Sequence, residues 1–503
     1  MFHGETREAT TLMGRSLRLS KSRFTAGLQC HRQLWWMVHE PEAPELVPGP
    51  QQQAIFDQGR RVGEVARGYV PGGRRVDLPH DAFRERIAAT RRFLDEDAPA
   101  IYEASFFADD VYAAVDILER DGDGHRLIEV KSSTRVRDEH VADIAIQLHV
   151  LRRCGLLVTG AELMHLNREC IFPDLADLFV RVDVTAAVEA RQDELPGRIK
   201  AQSRMLAGEL PDVPIGDHCR HPHECPFIDR CWKDVPAHHV SHLYMVRRSG
   251  ADLIARGLST IDQLPVGGGL SAIQERQRRA VRSGRLIVES GLAKALEIFR
   301  EPIAFLDFET VGSAIPVWEG CHPYDAVPVQ FSCHRSAPDG QTTHHEWIAE
   351  GPEDPRPELA RRVVEACLGA ETVVAFNAGF ERRGLESVAQ AVPSLARELL
   401  GIAARLADPL PILRDHVYHA DFGGSFSLKA VLPVLVPGAW YDELPIVEGT
   451  AASFELERLM FAGDAMPAAE RERLRDALRR YCALDTRGMM ALIERLRALA
   501  REG

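Results

Sequence analysis

Apolar residues follow two different periods along this chain, and together they predict a mixed α/β protein. Strand-like runs cover residues 101–108, 111–120, 125–134, 157–167, 303–310, 327–334, 344–349 and 371–376. Helical spacing of apolar residues covers 51–70, 139–154, 377–392 and 468–500. The adjoining dipeptides Asp121-Gly122 and Asp123-Gly124 predict a hairpin turn between two of the first strands. After residue 300, strands alternate with helices, which is typical of an α/β domain.

The length of 503 residues predicts two to four domains, since a domain usually takes roughly 150 residues. We expect a first domain over 16–235, a mainly helical connector over 236–300 and an α/β domain over 301–503. The polar segment 1–15 has no apolar core and therefore predicts no signal peptide. Because no run reaches about 18 consecutive apolar residues, we expect a cytoplasmic protein with no membrane partner.

Charge is distributed unevenly between these sections. Taken alone, the formal net charge of -13 argues against a nucleic-acid partner, because proteins that bind nucleic acid are usually basic. However, residues 301–503 hold 20 basic and 31 acidic residues, whereas residues 236–300 carry a net charge of +5. We interpret the arginines of 236–300 as a solvated helix face, with a module that contacts nucleic acid as the alternative.

The first candidate site lies on two neighbouring predicted strands. Asp116 lies within one strand, and Glu129 and Lys131 end the next, where their i, i+2 spacing places both on one face. Two carboxylates and a lysine can bind a divalent metal and stabilise charge during phosphodiester hydrolysis. Gln147 follows on a helix that can pack over the site. The alternative is an exposed strand pair with a surface salt bridge, because Glu-x-Lys alone is common.

This segment resembles the RecB-like branch of the PD-(D/E)xK nucleases, in which an Asp, a Glu-x-Lys pair and a Gln-x3-Tyr helix form the active site. The resemblance implies a restriction-endonuclease-like fold that binds Mg²⁺ or Mn²⁺ through Asp116 and Glu129. It implies that the catalytic residues are Asp116, Glu129, Lys131 and Gln147. The tyrosine of the family is absent, since Leu151 stands at its position.

Cysteines cluster in the segment 219–231. Five residues separate Cys219 from Cys225, and five separate Cys225 from Cys231, while ten cysteines in the whole chain are too few for a disulfide scaffold. In a reducing cytoplasm such a cluster indicates metal binding. Thiolates fit a [4Fe–4S] cluster, and the alternative is zinc, held by thiolates alone or with an imidazole such as that of His218. The remaining cysteines, including Cys482, are expected to be isolated core residues.

One cysteine before the nuclease-like segment and three after it resemble the arrangement in iron–sulfur RecB-like and AddB-type exonucleases, including those associated with CRISPR adaptation. The resemblance implies that Cys30 is the fourth ligand of a [4Fe–4S] cluster. It also implies that this cluster has a structural role and joins the two ends of the first domain.

A second acidic site is predicted in the last section. Asp307 and Glu309 share one face of a strand, and Glu381 lies where a strand meets a helix. On the last helix, Tyr481 precedes Asp485 by one turn, so both side chains face the same side. Four carboxylates can hold two metal ions roughly 4 Å apart for phosphoryl transfer, with the tyrosine orienting a water. The alternative is an ordinary salt-bridge network, because each motif alone is common.

In this order the motifs resemble those of the DEDDy 3′–5′ exonucleases, which have a ribonuclease H-like fold. The resemblance implies that all four acids bind Mg²⁺ or Mn²⁺ and that Tyr481 is catalytic. One departure is Glu381, which stands where the family has an aspartate.

The combination resembles a bacterial family that fuses a RecB-like iron–sulfur nuclease domain to a DEDDy-like exonuclease domain. It implies metal-dependent hydrolysis of DNA, with RNA as a further substrate, at two nuclease-like sites. By analogy it also implies a role in DNA repair and a helicase partner. The alternative is a non-catalytic iron–sulfur or zinc scaffold that binds nucleic acid, for which Leu151 and Glu381 are the best support.

Overall fold

A computed structural model describes residues 19–246, 253–254, 256–267, 269–337, 339–438, 440–441, 446 and 449–502. The expected polar segment 1–15 and the first residues of the expected first domain lie outside these ranges. The chain divides into two compact units, Met1–Asp234 and Val235–Gly503. Both units combine helices with β-sheet, so the predicted mixed α/β class is confirmed.

The N-terminal unit is built on a mixed sheet with helices packed against it. Its strands are β1 (Leu19–Ser20), β2 (Arg74–Arg75), β3 (Ala100–Ala108), β4 (Val111–Asp121), β5 (Gly124–Lys131), β6 (Val158–Leu166) and β7 (Phe179–Asp183). Its helices are α1 (Lys21–Gln29), α2 (His31–His39), α3 (Pro50–Ala66), α4 (Phe83–Asp95), α5 (Asp138–Arg153), α6 (Thr185–Glu189), α7 (Leu195–Leu206) and α8 (Ile228–Trp232). The strand order is β2-β3-β4-β5-β6-β7, with β1 beside β4.

The hairpin between β4 and β5 positions the first candidate site. Asp121 pairs with Gly124, so the predicted turn is confirmed, and Gly122 adopts the left-handed φ of 59° that such a turn favours. β5 then pairs with β6 in parallel, and α5 forms the crossover between them. Residues 144–151 of α5 are all buried, which fixes this helix against the sheet.

The C-terminal unit contains a second mixed sheet. Its strands are β8 (Ile287–Val288), β9 (Ile303–Val311), β10 (Val327–Ser336), β11 (Thr342–Ile348), β12 (Thr372–Val374), β13 (Leu406–Ala407) and β14 (Val417–Tyr418). Its helices include α9 (Ala272–Ser283), α10 (Leu292–Ala295), α11 (Arg356–Ala366), α12 (Gly379–Ala391), α13 (Ala396–Ala404), α14 (Pro409–His416), α15 (Leu428–Leu435), α16 (Gly449–Ala462) and α17 (Ala468–Glu502). The sheet order is β11-β10-β9-β12-β13, while β8 and β14 pair separately.

Strand β9 lies at the centre of this sheet and is buried on both faces. It is antiparallel to β10 and parallel to β12. Leu306 and Phe308 pack in a core with α11 and α12, whereas Phe305 packs in another core with Leu492 of α17. Because side chains alternate along a strand, Asp307 and Glu309 share the face of Phe305, toward α17.

The section 236–300, expected as a connector, shares a hydrophobic core with the rest of the C-terminal unit. Ala280, Leu292 and Leu296 belong to the same cluster as residues of α15 and α17. In α9, Arg276 and Arg278 are buried and form ion pairs with Glu289 and Glu275, so these two arginines do not form a solvated face. None of the helices in the described ranges is long and apolar enough to cross a lipid bilayer.

Candidate active sites and cysteine cavity

The side chains of the first predicted site lie together in the N-terminal unit. The Nζ atom of Lys131 is 2.7 Å from Oε1 of Glu129, and Gln147 donates a 2.8 Å hydrogen bond to Oε2 of the same carboxylate. Asp116 accepts a 2.8 Å hydrogen bond from the backbone N–H of Val130. β4, β5 and α5 therefore bring the four residues to one place, with Glu129 buried at its centre.

Two further residues complete this site, and the sequence patterns did not identify them. Lys21, the first residue of α1, places Nζ 2.8 Å from Oε1 of Glu129. Asp143 places a carboxylate oxygen 2.7 Å from Nζ of Lys131 and 3.5 Å from that of Lys21. Asp143 precedes Gln147 by one helical turn, so their i, i+4 spacing could have identified Asp143 as a residue of the site. Lys21 lies far away in sequence and matches none of the motifs considered.

The carboxyl groups of the first site have opposite pKa shifts. Burial raises the pKa of Asp116 to about 7, and the neighbouring Glu129 adds to this shift. Burial also opposes ionisation of Glu129, but Lys131 and Lys21 outweigh it and hold its pKa below the usual range. The site therefore combines one carboxylate fixed in its charged form with one carboxyl that changes protonation near neutral pH.

Leu151 lies one turn after Gln147 on α5, where the resembling family has a tyrosine. Its side chain is fully buried in the hydrophobic core of the N-terminal unit. This position therefore contributes packing and brings no hydroxyl group to the site.

Cys30, Cys219, Cys225 and Cys231 line one cavity of the N-terminal unit. None of them forms a disulfide. Burial raises the pKa of Cys225 to about 11, and the other three thiols add to this shift because they lie close by. Trp36 and Ile215 contribute apolar walls. The cavity therefore presents four soft ligand atoms.

Polar contacts join the N-terminal helices to the segment that carries three of the cysteines. Gln29 donates 2.7 Å hydrogen bonds to the backbone oxygens of His218 and His223. Arg230 pairs with Glu40 and Glu45. These contacts hold the two ends of the N-terminal unit together beside the cavity.

The imidazole expected as a zinc ligand also lies at this cavity. His218 is one of the lining residues, and its Nε2 atom is 3.8 Å from Sγ of Cys219. Among the described His, Cys, Asp and Glu side chains, only those of Asp307, Glu309 and Cys482 form a group of three or more whose ligand atoms all lie within 4.8 Å of one another. No three ligand atoms around the cysteine cavity are therefore that close together.

The second predicted site forms between β9 and α17 in the C-terminal unit. Ligand atoms of Asp307 and Glu309 lie within 4.8 Å of each other and of Sγ of Cys482. The Cys482 thiol donates a 3.4 Å hydrogen bond to Oδ2 of Asp307. The expectation that Cys482 is an isolated core residue is therefore wrong: its position between Tyr481 and Asp485 directs it toward the acids.

Two residues outside the motifs form hydrogen bonds with the motif residues of α17. The hydroxyl of Tyr441 donates a 2.6 Å hydrogen bond to Oδ1 of Asp485. Lys429, in the first turn of α15, donates a 2.7 Å hydrogen bond to the hydroxyl of Tyr481. The sequence patterns gave no role to Lys429 and no sign of Tyr441.

Glu381 lies in the first turn of α12 and is buried, with no hydrogen-bond partner for its Oε2 atom in the described structure. The charge of Glu381 contributes to the raised pKa of both Asp307 and Glu309, so it belongs to the same acidic group. Two other acids nearby in sequence differ from it. Asp408 caps α14 and accepts hydrogen bonds from the backbone N–H groups of residues 377 and 378, while Asp415 is exposed.

Burial raises the pKa of every acid in this group. The pKa of Glu309 reaches about 8, with the charge of Asp485 as the second cause, and that of Glu381 also reaches about 8. The pKa of Asp307 is raised well above its ordinary value, first by burial and then by Asp485 and Glu309. Lys429 opposes these shifts at Glu309 and Asp485. Without a further cation, the site therefore retains protons at neutral pH.

A family model described as "Domain of unknown function (DUF2779)" matches residues 304–427. The matched range contains Asp307, Glu309 and Glu381 and ends before Tyr481 and Asp485. No curated protein matches the chain.

In the absence of divalent metal, we expect the melting temperature to fall as the pH rises from about 5 to about 8. The fold keeps Glu309 and Glu381 protonated up to about pH 8, whereas in the unfolded chain they ionise near 4.5, their ordinary pKa. A raised pKa contributes stability that is present below the unfolded pKa and is lost as the pH rises through the folded one.

Calorimetry across this pH range checks the prediction. Glu309→Gln should flatten the dependence, because the amide cannot ionise, whereas Glu353→Gln at an exposed position should leave it unchanged. An equally steep dependence in Glu309→Gln and in the wild type would contradict the prediction.

Proposed function

We propose that this protein is a metal-dependent nuclease with two sites. The N-terminal unit would be a restriction-endonuclease-like PD-(D/E)xK domain, and the C-terminal unit a ribonuclease H-like DEDDy exonuclease domain. The substrate is DNA, with RNA as a further substrate of the second site. Support comes from the side chains that converge in each unit.

The observation that carries the proposal is the group of buried acids in the C-terminal unit. Carboxylates without water are costly unless they are paired or bind a metal. Here the described structure offers Lys429 as a neighbouring cation, and Oε2 of Glu381 has no hydrogen-bond partner. Oxygen ligands of this kind suit Mg²⁺ and Mn²⁺. The donor set therefore fits a divalent metal, which would replace the retained protons.

Each residue of the second site then has a chemical role. Asp307, Glu309, Glu381 and Asp485 would hold the metal. A bound divalent ion supplies Lewis acidity and activates water. Tyr481, whose hydroxyl is fixed by Lys429, would orient that water toward the phosphodiester. Although its side chain is longer than that of aspartate, the charge of Glu381 contributes to the raised pKa of Asp307. This interaction supports a ligand role for Glu381.

In the first site, Asp116 and Glu129 would hold the metal, and Gln147 would fix the orientation of Glu129. Lys131 would stabilise negative charge as it develops on the phosphate. The ordinary salt-bridge interpretation fits less well, because Glu129 is buried and a surface salt bridge would leave it exposed.

For the cysteine cavity we propose a [4Fe–4S] cluster with a structural role. Four thiolates and apolar walls suit iron–sulfur ligation. Thiolates around one zinc ion lie about 3.8 Å apart, given Zn–S bonds of about 2.3 Å. Ligand atoms around this cavity do not form such a close group, which favours the larger cluster over zinc.

Anaerobic purification distinguishes the two metals. We expect a brown protein with broad visible absorption and about four iron atoms per chain. The absorption should be lost in Cys225→Ser and retained in Cys154→Ser, since Cys154 is exposed and lies outside the cavity. A colourless protein with one zinc per chain would contradict the cluster and leave the zinc alternative.

Digestion of 5′- and 3′-labelled DNA and RNA with Mn²⁺ tests the nuclease proposal. We expect Asp307→Asn to abolish trimming from 3′ ends and Asp116→Asn to abolish the remaining DNA cleavage. Each loss should be at least about a hundredfold, because these groups would hold the metal. Asp415→Asn and Asp123→Asn, both at exposed acids, are the matched controls and should behave like the wild type.

The double variant Asp116→Asn/Asp307→Asn sets the background of the assay. If the wild type degrades no more nucleic acid than this variant, the nuclease proposal is wrong. Retained binding to single-stranded oligonucleotides in that case would favour the non-catalytic scaffold.

A further inference from the structure

Lys21 is a second lysine in the first site, and neither the motifs nor the roles assigned above use it. Its Nζ atom is 2.8 Å from Oε1 of Glu129 and 3.5 Å from Oδ2 of Asp143. Lys131 bridges the same two oxygens, each at 2.7 Å. Two ammonium groups therefore meet one pair of carboxylates.

Contacts of the neighbouring residues fix the backbone of Lys21 at this position. The two residues before it pair with β4, the strand that carries Asp116. Ser20 caps α1 by accepting a hydrogen bond from the backbone N–H of Arg23. Phe24 is fully buried, and Gly27 packs so closely that a Cβ atom would lie 2.6 Å from Gln202. The backbone of Lys21 is therefore part of the packed structure, which places its side chain at the site.

Lys21 contacts a carboxylate oxygen of Glu129 to which a metal ion would bind. Oε1 of Glu129 already faces two ammonium groups, and Oε2 accepts the amide of Gln147. A carboxylate offers about four lone-pair positions, so three of them are taken. Lys131 and Gln147 also hold Glu129. Lys21 is the less tightly held of the two ammonium groups, because its second contact, to Asp143, is 3.5 Å, whereas that of Lys131 is 2.7 Å. The contact from Lys21 is thus the one that a divalent cation would replace.

We propose that Lys21 holds the cation position on Glu129 until a divalent metal displaces it, and that it then binds the phosphate to be cleaved. The inference rests on the proposed nuclease function of this site. Its side chain is 20% exposed, so part of its length faces solvent while its ammonium contacts the buried carboxylates. After displacement, the phosphate is the anion that replaces Glu129 as its partner, and lysine binds phosphate as a point charge.

Mn²⁺ binding to the full chain tests this inference. The second site is disabled with Asp307→Asn, and free Mn²⁺ is counted by electron paramagnetic resonance. Removing a positive charge from the site should strengthen Mn²⁺ binding, so we expect Lys21→Met to lower the Mn²⁺ Kd by at least about fivefold. At saturating Mn²⁺, the same variant should cleave DNA at least about tenfold more slowly, because the phosphate contact is lost.

Lys200→Met is the matched control, because Lys200 is exposed on α7 of the same unit, and it should change neither quantity. Lys21→Gln provides a second neutral side chain in case Lys21→Met does not fold, and it should shift both quantities in the same directions. Unchanged or weaker Mn²⁺ binding in the neutral variants would overturn the inference, and so would unchanged cleavage at saturation. If Asp116→Asn removes no Mn²⁺ binding from the parent, the metal site itself is absent and the proposed function fails.

Discussion

Carboxylates taken out of water impose the main constraint on this protein. Each buried acid must be neutralised by a proton, an ammonium group or a metal ion, because an isolated buried charge is too costly. In the N-terminal unit, Lys21 and Lys131 neutralise Glu129, while burial raises the pKa of Asp116 and of Asp143. In the C-terminal unit Lys429 opposes the pKa shifts only in part, so those acids retain protons. The two sites thus differ in how much of their buried charge lysines balance.

This difference gives the sites different dependence on metal. The acids around Asp307 need a further cation before they can all ionise, whereas in the first site lysines already hold Glu129 in its charged form. Helix α1 joins the first site to the cysteine cavity, since it begins at Lys21 and ends next to Cys30. A group that holds Cys30 would therefore also hold the helix whose first residue is Lys21. A structural cluster and a catalytic site can share one element in this way.

Much of the fold was predictable from periodicity, whereas contacts distant in sequence were not. The β4–β5 turn followed from Asp-Gly dipeptides, and α17 from a long amphipathic pattern. The motif residues came from spacing along single strands and helices. Lys21 and Tyr441 were missed because each reaches its site from a distant segment with no motif of its own. Cys482 was interpreted as a core residue because the sequence does not distinguish a cysteine that only packs in the core from one whose thiol faces a group of acids.

Anomalous diffraction from crystals of the full chain soaked in Mn²⁺ shows whether the buried acids bind metal. We expect a manganese peak bound by oxygens of Asp307 and Glu309, and a second between Asp116 and Glu129 with Nζ of Lys21 moved away from Glu129. Soaked Asp307→Asn crystals should lose the first peak alone. Crystals with no manganese at either group of acids, or with manganese only at exposed carboxylates, would contradict a metal-binding role for these acids.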